Sequence, residues 1–170
     1  MKFEAIVAVD LNNGIGKDGT IPWKYPNDLK RFKEITTKTL DPCLRNAVVM
    51  GRKTWDSLPQ NFRPLKNRLN VVLSRQDNLS LPEGVLHFKS LDEALNNLND
   101  SNEIFIIGGG SLYHEAIKHS GCNKLYITHV DIDKNCDTFF PEIPEKFKKT
   151  SESEVQTEDD WKFVFTEYER

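Results

Sequence analysis

The sequence contains few cysteines, no long apolar run and no cluster of basic residues. Its three cysteines, Cys43, Cys122 and Cys136, are far apart and form neither a CxxC motif nor a Cys/His pattern. No zinc site or other metal site is therefore expected, and free thiols fit a reducing cytoplasm. The apolar run near the N-terminus is too short for a signal or membrane segment and is better interpreted as a strand. Lysine and arginine are scattered along a chain of formal net charge -3, so no nucleic-acid surface is expected.

The order of strand and helix patterns predicts an α/β fold. Strands alternate with helices along most of the chain and are followed by strands alone, which favours a mostly parallel central sheet with an antiparallel C-terminal edge. We expect about eight strands and about four helices. Predicted strands cover residues 3–9, 46–50, 69–73, 85–88, 103–107, 124–130, 154–155 and 161–168, and predicted helices cover 26 to about 39, 52–58, 91–98 and 112–118. No repeat, low-complexity tract or linker interrupts the 170 residues, so a single domain spanning residues 1–170 is predicted.

An acidic residue on an apolar helix face is the first candidate functional group. If Pro26 opens a helix, Asp28 shares a stripe with Phe32 and Ile35 and has Leu29 beside it. On this stretch alone, the commoner explanation is an acid in the first turn that favours the helix dipole. The alternative is a carboxyl in an apolar cleft, where desolvation makes it easier to protonate and useful in proton transfer.

A segment rich in glycine and asparagine, residues 10–20, predicts a long loop. It contains Gly14-x-Gly16-x-x-Gly19, which formally matches the dinucleotide fingerprint. That fingerprint requires a helix to open within it, and residues 20–23 intervene here, so a Rossmann fold is not expected. A glycine-hinged flap is favoured, because loops of this length are often active-site lids.

Cations, hydroxyls and glycines recur where predicted strands end and helices begin. Open α/β sheets bind ligands at this edge, so these groups predict a ligand site. The segment after the second strand could seat a phosphate on exposed amides and cations, although a solvated basic turn is the alternative. Three consecutive glycines after the fifth strand would let the backbone lie against a ligand. The groups are Gly51 to Thr54, Ser74-Arg75, Lys89-Ser90 and Gly108 to Ser111.

Taken in order, the motifs of this chain resemble dihydrofolate reductases from about residue 3 to residue 168. The matching motifs are Ile6-Val7-Ala8, Gly14-Ile15-Gly16, Ile21-Pro22-Trp23, Asp28-Leu29 with Phe32, Met50-Gly51-Arg52-Lys53-Thr54-Trp55, Arg63-Pro64-Leu65 with Arg68, Ile107-Gly108-Gly109-Gly110, Tyr113, Thr128 and Thr138-Phe139-Phe140-Pro141. The resemblance implies reduction of 7,8-dihydrofolate to tetrahydrofolate, with hydride passing from NADPH to C6 of the pterin while N5 gains a proton. Two positions depart from the common pattern: Ile21 is Met or Leu in much of the family, and Asn67 stands where Gly is common. Both concern loop kinetics and inhibitor fit rather than reaction type.

The resemblance also implies residue roles on the substrate side. Asp28 would bond the 2-amino group and N3 side of the pterin, and Thr128 would support it. Ile21 and Trp23 belong to the loop beside the reacting atoms and complete the predicted catalytic set. Arg68 would hold the α-carboxylate of the glutamyl tail, a bidentate task suited to a guanidinium. The other predicted substrate-binding residues line the pocket: Ile6, Val7, Ala8, Leu29, Phe32, Leu58, Pro64, Leu65, Ile107 and Tyr113. Carbonyls of Ile6 and Ile107 would face antifolates such as methotrexate.

On the cofactor side, the resemblance implies an NADPH site at the glycine turn and the basic strand ends. Ala8 would flank the nicotinamide with the loop through Ile15, Gly16 and Ile21. Lys53 and Thr54 would hold the pyrophosphate together with Gly108, Gly109, Gly110 and Ser111, and the Gly108-Gly109 peptide would be cis. Arg52, Ser74 and Arg75 would surround the 2′-phosphate, with Lys89 nearby. The remaining predicted cofactor residues are Gly19, Gly51, Leu73, Ile107, Leu112 and Tyr113.

Other functions remain open at this point. A reductase of the same fold could act on another pterin or on a pyrimidine of flavin synthesis, but only a substrate with an acidic tail needs Arg68. A non-catalytic NADPH- or folate-binding module has no need of an acid in an apolar cleft. We expect a cytoplasmic monomer without a membrane or nucleic-acid partner, unless the chain is one domain of a bifunctional polypeptide joined to thymidylate synthase.

Overall fold

A large mixed sheet organises the chain, and the computed structural model describes residues 1–170 of it. The strands are β1 Phe3–Val9, β2 Gly14–Gly16, β3 Ala47–Gly51, β4 Leu69–Leu73, β5 Val85–Phe88, β6 Ile104–Gly108, β7 Cys122–Val130, β8 Thr138–Phe139, β9 Lys148–Glu152, β10 Gln156–Glu158 and β11 Trp161–Glu169. The helices are α1 Pro26–Thr37, α2 Arg52–Ser57, α3 Leu91–Asn97 and α4 Gly110–Lys118, with a 3-10 turn at Gln60–Phe62. None of these helices is long and apolar enough to cross a membrane.

The strand order confirms the predicted α/β fold. The main sheet runs β10-β11-β7-β1-β6-β3-β4-β5, and β9 pairs with β11 beside this path. Strands β5, β4, β3, β6, β1 and β7 are parallel to one another, whereas β11 is antiparallel to β7 and forms antiparallel pairs with β9 and β10. The mostly apolar strand β1 lies in the interior of the sheet, between β7 and β6, as expected of a strand that is buried on both faces.

The two faces of the sheet are covered unequally. Helices α3 and α4 bury Leu91, Ala94, Leu112 and Ala116 in the largest core cluster, so this face is closed. On the other face, α1 buries only Thr36 completely, while Phe32 and Ile35 are partly buried against a cluster of six residues. Because α1 covers this face incompletely, apolar side chains beside it stay partly exposed, as they do where ligands bind.

The residue 154–155 strand was predicted wrongly. Strands β9 and β10 run along the same edge of β11 and are interrupted at residues 153–155. Ser153 donates its backbone N–H to the Phe165 carbonyl (2.8 Å), and its hydroxyl accepts the Phe165 N–H (3.0 Å). At the interruption, the Ser153 hydroxyl takes the place of a backbone carbonyl as the acceptor for the Phe165 N–H. Apolar patterning in the sequence does not reveal such a contact. Strand β9 was missed because all five of its residues are exposed.

The predicted loop at residues 10–20 contains a short strand and no helix. Strand β2 pairs antiparallel with β8, with Gly14 opposite Phe139 and Gly16 opposite Thr138. Lys17 and Thr20 then form an isolated bridge around a turn in which Asp18 and Gly19 have positive φ. The glycine fingerprint therefore does not open a helix here, as the intervening residues indicated.

Candidate active site

The carboxyl ends of two central strands separate and open a gap in the sheet. Strand β1 pairs with β6 only at Glu4 and Ala5, whereas its pairing with β7 continues to Val9 opposite His129. Tyr113 from α4 bridges the gap by donating its hydroxyl to the Ile6 carbonyl at 2.7 Å. This gap is the sort of place where open α/β sheets bind ligands.

Asp28 lies half-buried at the edge of this gap, in the first turn of α1. The Thr128 hydroxyl of β7 donates a hydrogen bond of 2.6 Å to Oδ1 of Asp28, and Asp28 takes part in no salt bridge. Burial raises the pKa of the Asp28 carboxyl, although the Thr128 bond and the nearby Arg31 charge oppose this. A carboxyl with a raised pKa beside apolar side chains suits proton-transfer chemistry.

Apolar side chains form the wall beside Asp28. Phe32, Leu58, Leu65 and Ile107 pack partly buried against the same core cluster, which includes Ile6. Leu29 is 55% exposed although it lies in the turn of α1 between Asp28 and Phe32. This exposed apolar surface beside a polar group is characteristic of a ligand cleft.

Arg68 is a buried cation at the far end of α1. It is 8% exposed, and it donates Nε to the Lys66 carbonyl at 3.0 Å and Nη1 to Thr36 Oγ1 at 2.8 Å. Its guanidinium lies 5.7 Å from the ring centroid of Phe32. No carboxylate of the chain pairs with it, and burial lowers its pKa. A buried cation without a counter-ion is costly, so this geometry fits an anionic ligand.

Residue 67, where this chain departs from the common glycine, has a left-handed backbone. Asn67 has φ 63°, a conformation that glycine adopts freely and that asparagine tolerates better than most residues. The departure therefore keeps the backbone that presents Arg68.

The glycine turn after β6 lies directly against α2. The Gly108-Gly109 peptide is cis and Gly108 has φ 129°. A Cβ added to Gly108 or Gly109 would lie 3.2 or 3.1 Å from Oγ1 of Thr54, and one at Gly110 would lie 2.9 Å from Cγ2 of Thr138. The register of Met50 opposite Gly108 brings this turn beside Gly51. Two junctions that are about 55 residues apart in sequence thus present backbone amides at one place, which suits a pyrophosphate.

The predicted phosphate-binding cations gather next to that turn. Because Leu73 lies opposite Phe88, Ser74 and Lys89 leave adjacent strand ends. Arg52 reaches the same area and donates to Oε1 of Gln76 at 2.9 Å. Arg52, Lys53 and Arg75 are exposed, and Lys89 pairs with Asp77. These residues can hold a phosphorylated cofactor, with Asp77 as the group that competes for Lys89.

Comparisons with known proteins identify the family. The family model described as dihydrofolate reductase matches residues 2–170. The chain belongs to the dihydrofolate reductase family. It is 42% identical over 174 residues to a dihydrofolate reductase of Drosophila melanogaster, covering 97% of this chain and 96% of the relative. A solved dihydrofolate reductase structure of Schistosoma mansoni superposes with a TM-score of 0.86 at 42% identity, covering 99% of this chain and 98% of the other.

Other relatives are longer than this chain. It is 42% identical over 177 residues to a bifunctional dihydrofolate reductase-thymidylate synthase of Daucus carota, covering 99% of this chain but 34% of the relative. The chain thus spans about a third of the length of the bifunctional relatives that it matches.

Several residues predicted from the dihydrofolate reductase motifs lie away from the cleft wall. The side chain of Val7 packs in the core cluster on the α3 and α4 face, as does that of Leu112, and Leu73 packs against the same cluster. Gly19 has open space around it, and Ile21 is 59% exposed. Trp23 is buried with Tyr25, Val130, Ile132 and Phe163, and Ala8 packs against that cluster. The peptide bond between Arg63 and Pro64 is cis.

Sequence reasoning missed two acids of this chain, the buried Asp10 and the half-buried Glu4. Asp10, at the end of β1, is 3% exposed and accepts several backbone N–H groups. Glu4, near the start of β1, has a buried Oε2 without a hydrogen-bond partner. Glu4 interrupts an otherwise apolar strand, which is the one signal that could have drawn attention to it.

Proposed function

We propose that this domain catalyses NADPH-dependent reduction of 7,8-dihydrofolate to 5,6,7,8-tetrahydrofolate, by hydride transfer to pterin C6 and protonation at N5. The observation that carries the proposal is the placement of Asp28 and Arg68 at two ends of one apolar cleft, neither of them paired with an opposite charge. Asp28 and Thr36, the hydrogen-bond partner of Arg68, are separated by eight residues of α1, or about 12 Å along its axis. Dihydrofolate has donor groups at its pterin end and a glutamyl carboxylate at the other, so an extended molecule satisfies both residues.

Within this proposal, Asp28 orients the pterin and stabilises its protonated form. A buried carboxylate does this effectively because water does not screen its charge. The Thr128 hydroxyl holds Oδ1, which leaves Oδ2 for the ligand. Asp28 need not deliver the proton to N5; we assign that role to a water admitted by the loop at residues 14–22, where Ile21 is exposed. Trp23 anchors the end of this loop in the core.

The residues around the glycine turn fit the proposed cofactor, NADPH, which supplies the hydride when bound. Gly108, Gly109 and Gly110 leave no room for side chains beside Thr54 and Thr138, so the turn presents its backbone. Arg52, Ser74, Arg75 and Lys89 would favour a cofactor with a 2′-phosphate, because a dianion rewards charge-assisted bonds that a ribose hydroxyl cannot match.

Arg68 favours a substrate with an acidic tail over the reductase substrates that lack one.

We further propose that residues 1–170 fold as one domain. This domain works as a cytoplasmic monomer or as part of a longer bifunctional chain, and methotrexate-like antifolates bind its cleft. The cytoplasmic location is supported by the three cysteines, all of which are free thiols.

The function is tested by following NADPH absorbance with dihydrofolate, with and without methotrexate. We expect dihydrofolate-dependent loss of absorbance that methotrexate stops, and slower loss with NADH. Absence of activity would overturn the proposed reaction, and activity that resists methotrexate would overturn the assignment of the cleft.

A further inference from the structure

Asp10 is a buried carboxylate that is surrounded by donors rather than by cations. Its Oδ1 accepts the backbone N–H groups of Asn12 at 2.9 Å and Gly14 at 2.7 Å, and its Oδ2 accepts that of Lys134 at 3.3 Å. The Cys136 side chain packs at the same point, and its thiol also favours the ionised form of Asp10. Burial opposes ionisation of Asp10, but these bonds outweigh burial and lower its pKa. Burial and the nearby Asp10 raise the pKa of Cys136 to about 11, so the thiol stays protonated beside the carboxylate.

The groups around the Asp10 carboxylate come from two segments that are far apart in sequence. Asn12 precedes β2 and Gly14 is its first residue, whereas Lys134 and Cys136 precede β8. Strands β2 and β8 pair with each other. The packing at this point is tight, since a Cβ at Gly14 would lie 2.5 Å from Cβ of Cys136 and 2.7 Å from Oδ2 of Asp10. Asp10 thus sets how closely the two segments approach.

The paired strands β2 and β8 in turn lie against the glycine turn. A Cβ at Gly110 would lie 2.9 Å from Cγ2 of Thr138, 3.4 Å from the Phe139 carbonyl oxygen and 3.9 Å from Cδ1 of Ile15. Ile15 and Phe139 are therefore placed beside Gly110 by the same sheet that Asp10 holds together.

We propose that Asp10 is a positioning residue for the cofactor: it holds β2 and β8 together and so fixes the wall that faces Gly110. This inference rests on the proposed function for the identity of the cofactor as NADPH. Asp28 and Arg68 form no hydrogen bond with Asp10 or with the groups around it. Loss of the Asp10 charge should therefore weaken NADPH binding and spare dihydrofolate binding.

The test compares Asp10→Asn with Glu4→Gln, which alters a half-buried acid near the start of β1, away from β2 and β8. In Asp10→Asn an amide NH₂ meets the Lys134 N–H, donor against donor. Binding of each ligand is measured by quenching of tryptophan fluorescence, and hydrogen exchange of the Gly14 and Lys134 amides is measured without ligand. We expect about tenfold faster exchange and about tenfold weaker NADPH binding in Asp10→Asn, with dihydrofolate binding within twofold of wild type. Glu4→Gln should change none of these.

Unchanged amide exchange in Asp10→Asn, or equal weakening of both ligands, would overturn the proposal. If Asp10→Asn does not fold, Cys136→Ala and Cys136→Ser decide, because only Ala removes the polar side-chain group beside Asp10. NADPH binding should weaken in Cys136→Ala and be retained in Cys136→Ser, and identical binding by the two variants would contradict the role of Asp10. If the wild-type protein does not bind NADPH, the proposed function fails, while amide exchange still tests whether Asp10 holds the two strands.

Discussion

The Thr128 hydroxyl donates a 2.6 Å hydrogen bond to Oδ1 of Asp28 and so joins the central strand β7 to the first turn of α1. These residues are 100 positions apart in sequence. Because Thr128 is 3% exposed and lies between β1 and β11 in the sheet, the bond fixes a half-buried carboxyl on a rigid support. Such support is what a residue needs to hold one ligand geometry.

Replacing Asp28 by Asn should abolish most turnover. The amide keeps the shape of the side chain but cannot carry the negative charge that stabilises a protonated pterin, so turnover at neutral pH should fall about 100-fold or more. NADPH binding should not change. Glu34→Gln, at an exposed acid of the same helix, is the control and should be as active as wild type. Unchanged turnover in Asp28→Asn would rule out the Asp28 assignment.

Replacing Thr128 by Val should make Asp28 harder to ionise. The Thr128 bond is one of the two effects that lower the Asp28 pKa against burial, so its loss should move the titration of the Asp28 carboxyl to higher pH. Dihydrofolate binding should weaken by about 1 to 2 kcal/mol. Carbon-13 NMR of the labelled carboxyl measures the titration. Thr128→Ser retains the hydroxyl, so the Asp28 carboxyl should titrate in it as in wild type. If the Asp28 carboxyl of Thr128→Val titrates at the wild-type pH or at a lower pH, the role of this bond is contradicted.

Replacing Arg68 by Met should weaken dihydrofolate binding selectively. The buried Arg68 guanidinium would pair with the glutamyl carboxylate of the bound ligand. Its loss should weaken binding by about 3 kcal/mol, or roughly 100-fold in Kd. A dihydropterin without the glutamyl tail should bind both proteins equally. Arg63→Met is the matched control, because Arg63 already bonds the Trp55 carbonyl at 3.0 Å and lies near Asp56. Equal losses for both ligands would show that Arg68 supports the fold rather than the tail.

Glu4 should make the protein less stable as pH rises. Burial, followed by the nearby Glu103 charge, raises the pKa of Glu4 from 4.5 to about 7. The unfolded chain therefore releases this proton at lower pH than the folded protein does. The contribution of protonated Glu4 to the free energy of unfolding is fully present below about pH 4.5 and is lost as pH rises through 7.

Urea unfolding of Glu4→Gln at pH 5 and pH 8 measures this effect. The difference in unfolding free energy between the variant and wild type is measured at each pH. From pH 5 to pH 8 this difference should shift in favour of the variant by about 1 to 3 kcal/mol. Glu115→Gln, at an exposed acid of α4, should gain nothing. If Glu4→Gln behaves like Glu115→Gln, Glu4 ionises at its ordinary pKa.

The elements that were predicted well are those whose signals are local. Apolar runs located the central strands, and Pro26 marked the start of α1. The start of α3 is also fixed locally, because the Ser90 hydroxyl accepts the Glu93 N–H at 3.2 Å. Strand β9 and the interruption before β10 were not predictable in this way. Their order depends on pairing with β11, and their own residues carry no apolar alternation.

The candidate site was predicted as a set of residues rather than as a geometry. Motif order brought Asp28, Arg68 and the glycine turn together, but no sequence pattern indicates that Arg68 is buried without a counter-ion. The glycine and asparagine content of residues 10–20 predicts only a loop around Asp10. It does not indicate Lys134 and Cys136, which lie more than 120 residues away. Contacts of such range arise from sheet order, which a single sequence does not reveal.

The central claim is tested most directly by tracing the hydride with NADPH that carries deuterium at nicotinamide C4. Each of the two C4-deuterated forms is incubated with dihydrofolate and the protein, and the product is examined by NMR. We predict that one of the two forms places deuterium at C6 of tetrahydrofolate. Deuterium at another carbon, or none in the product from either form, would contradict the account.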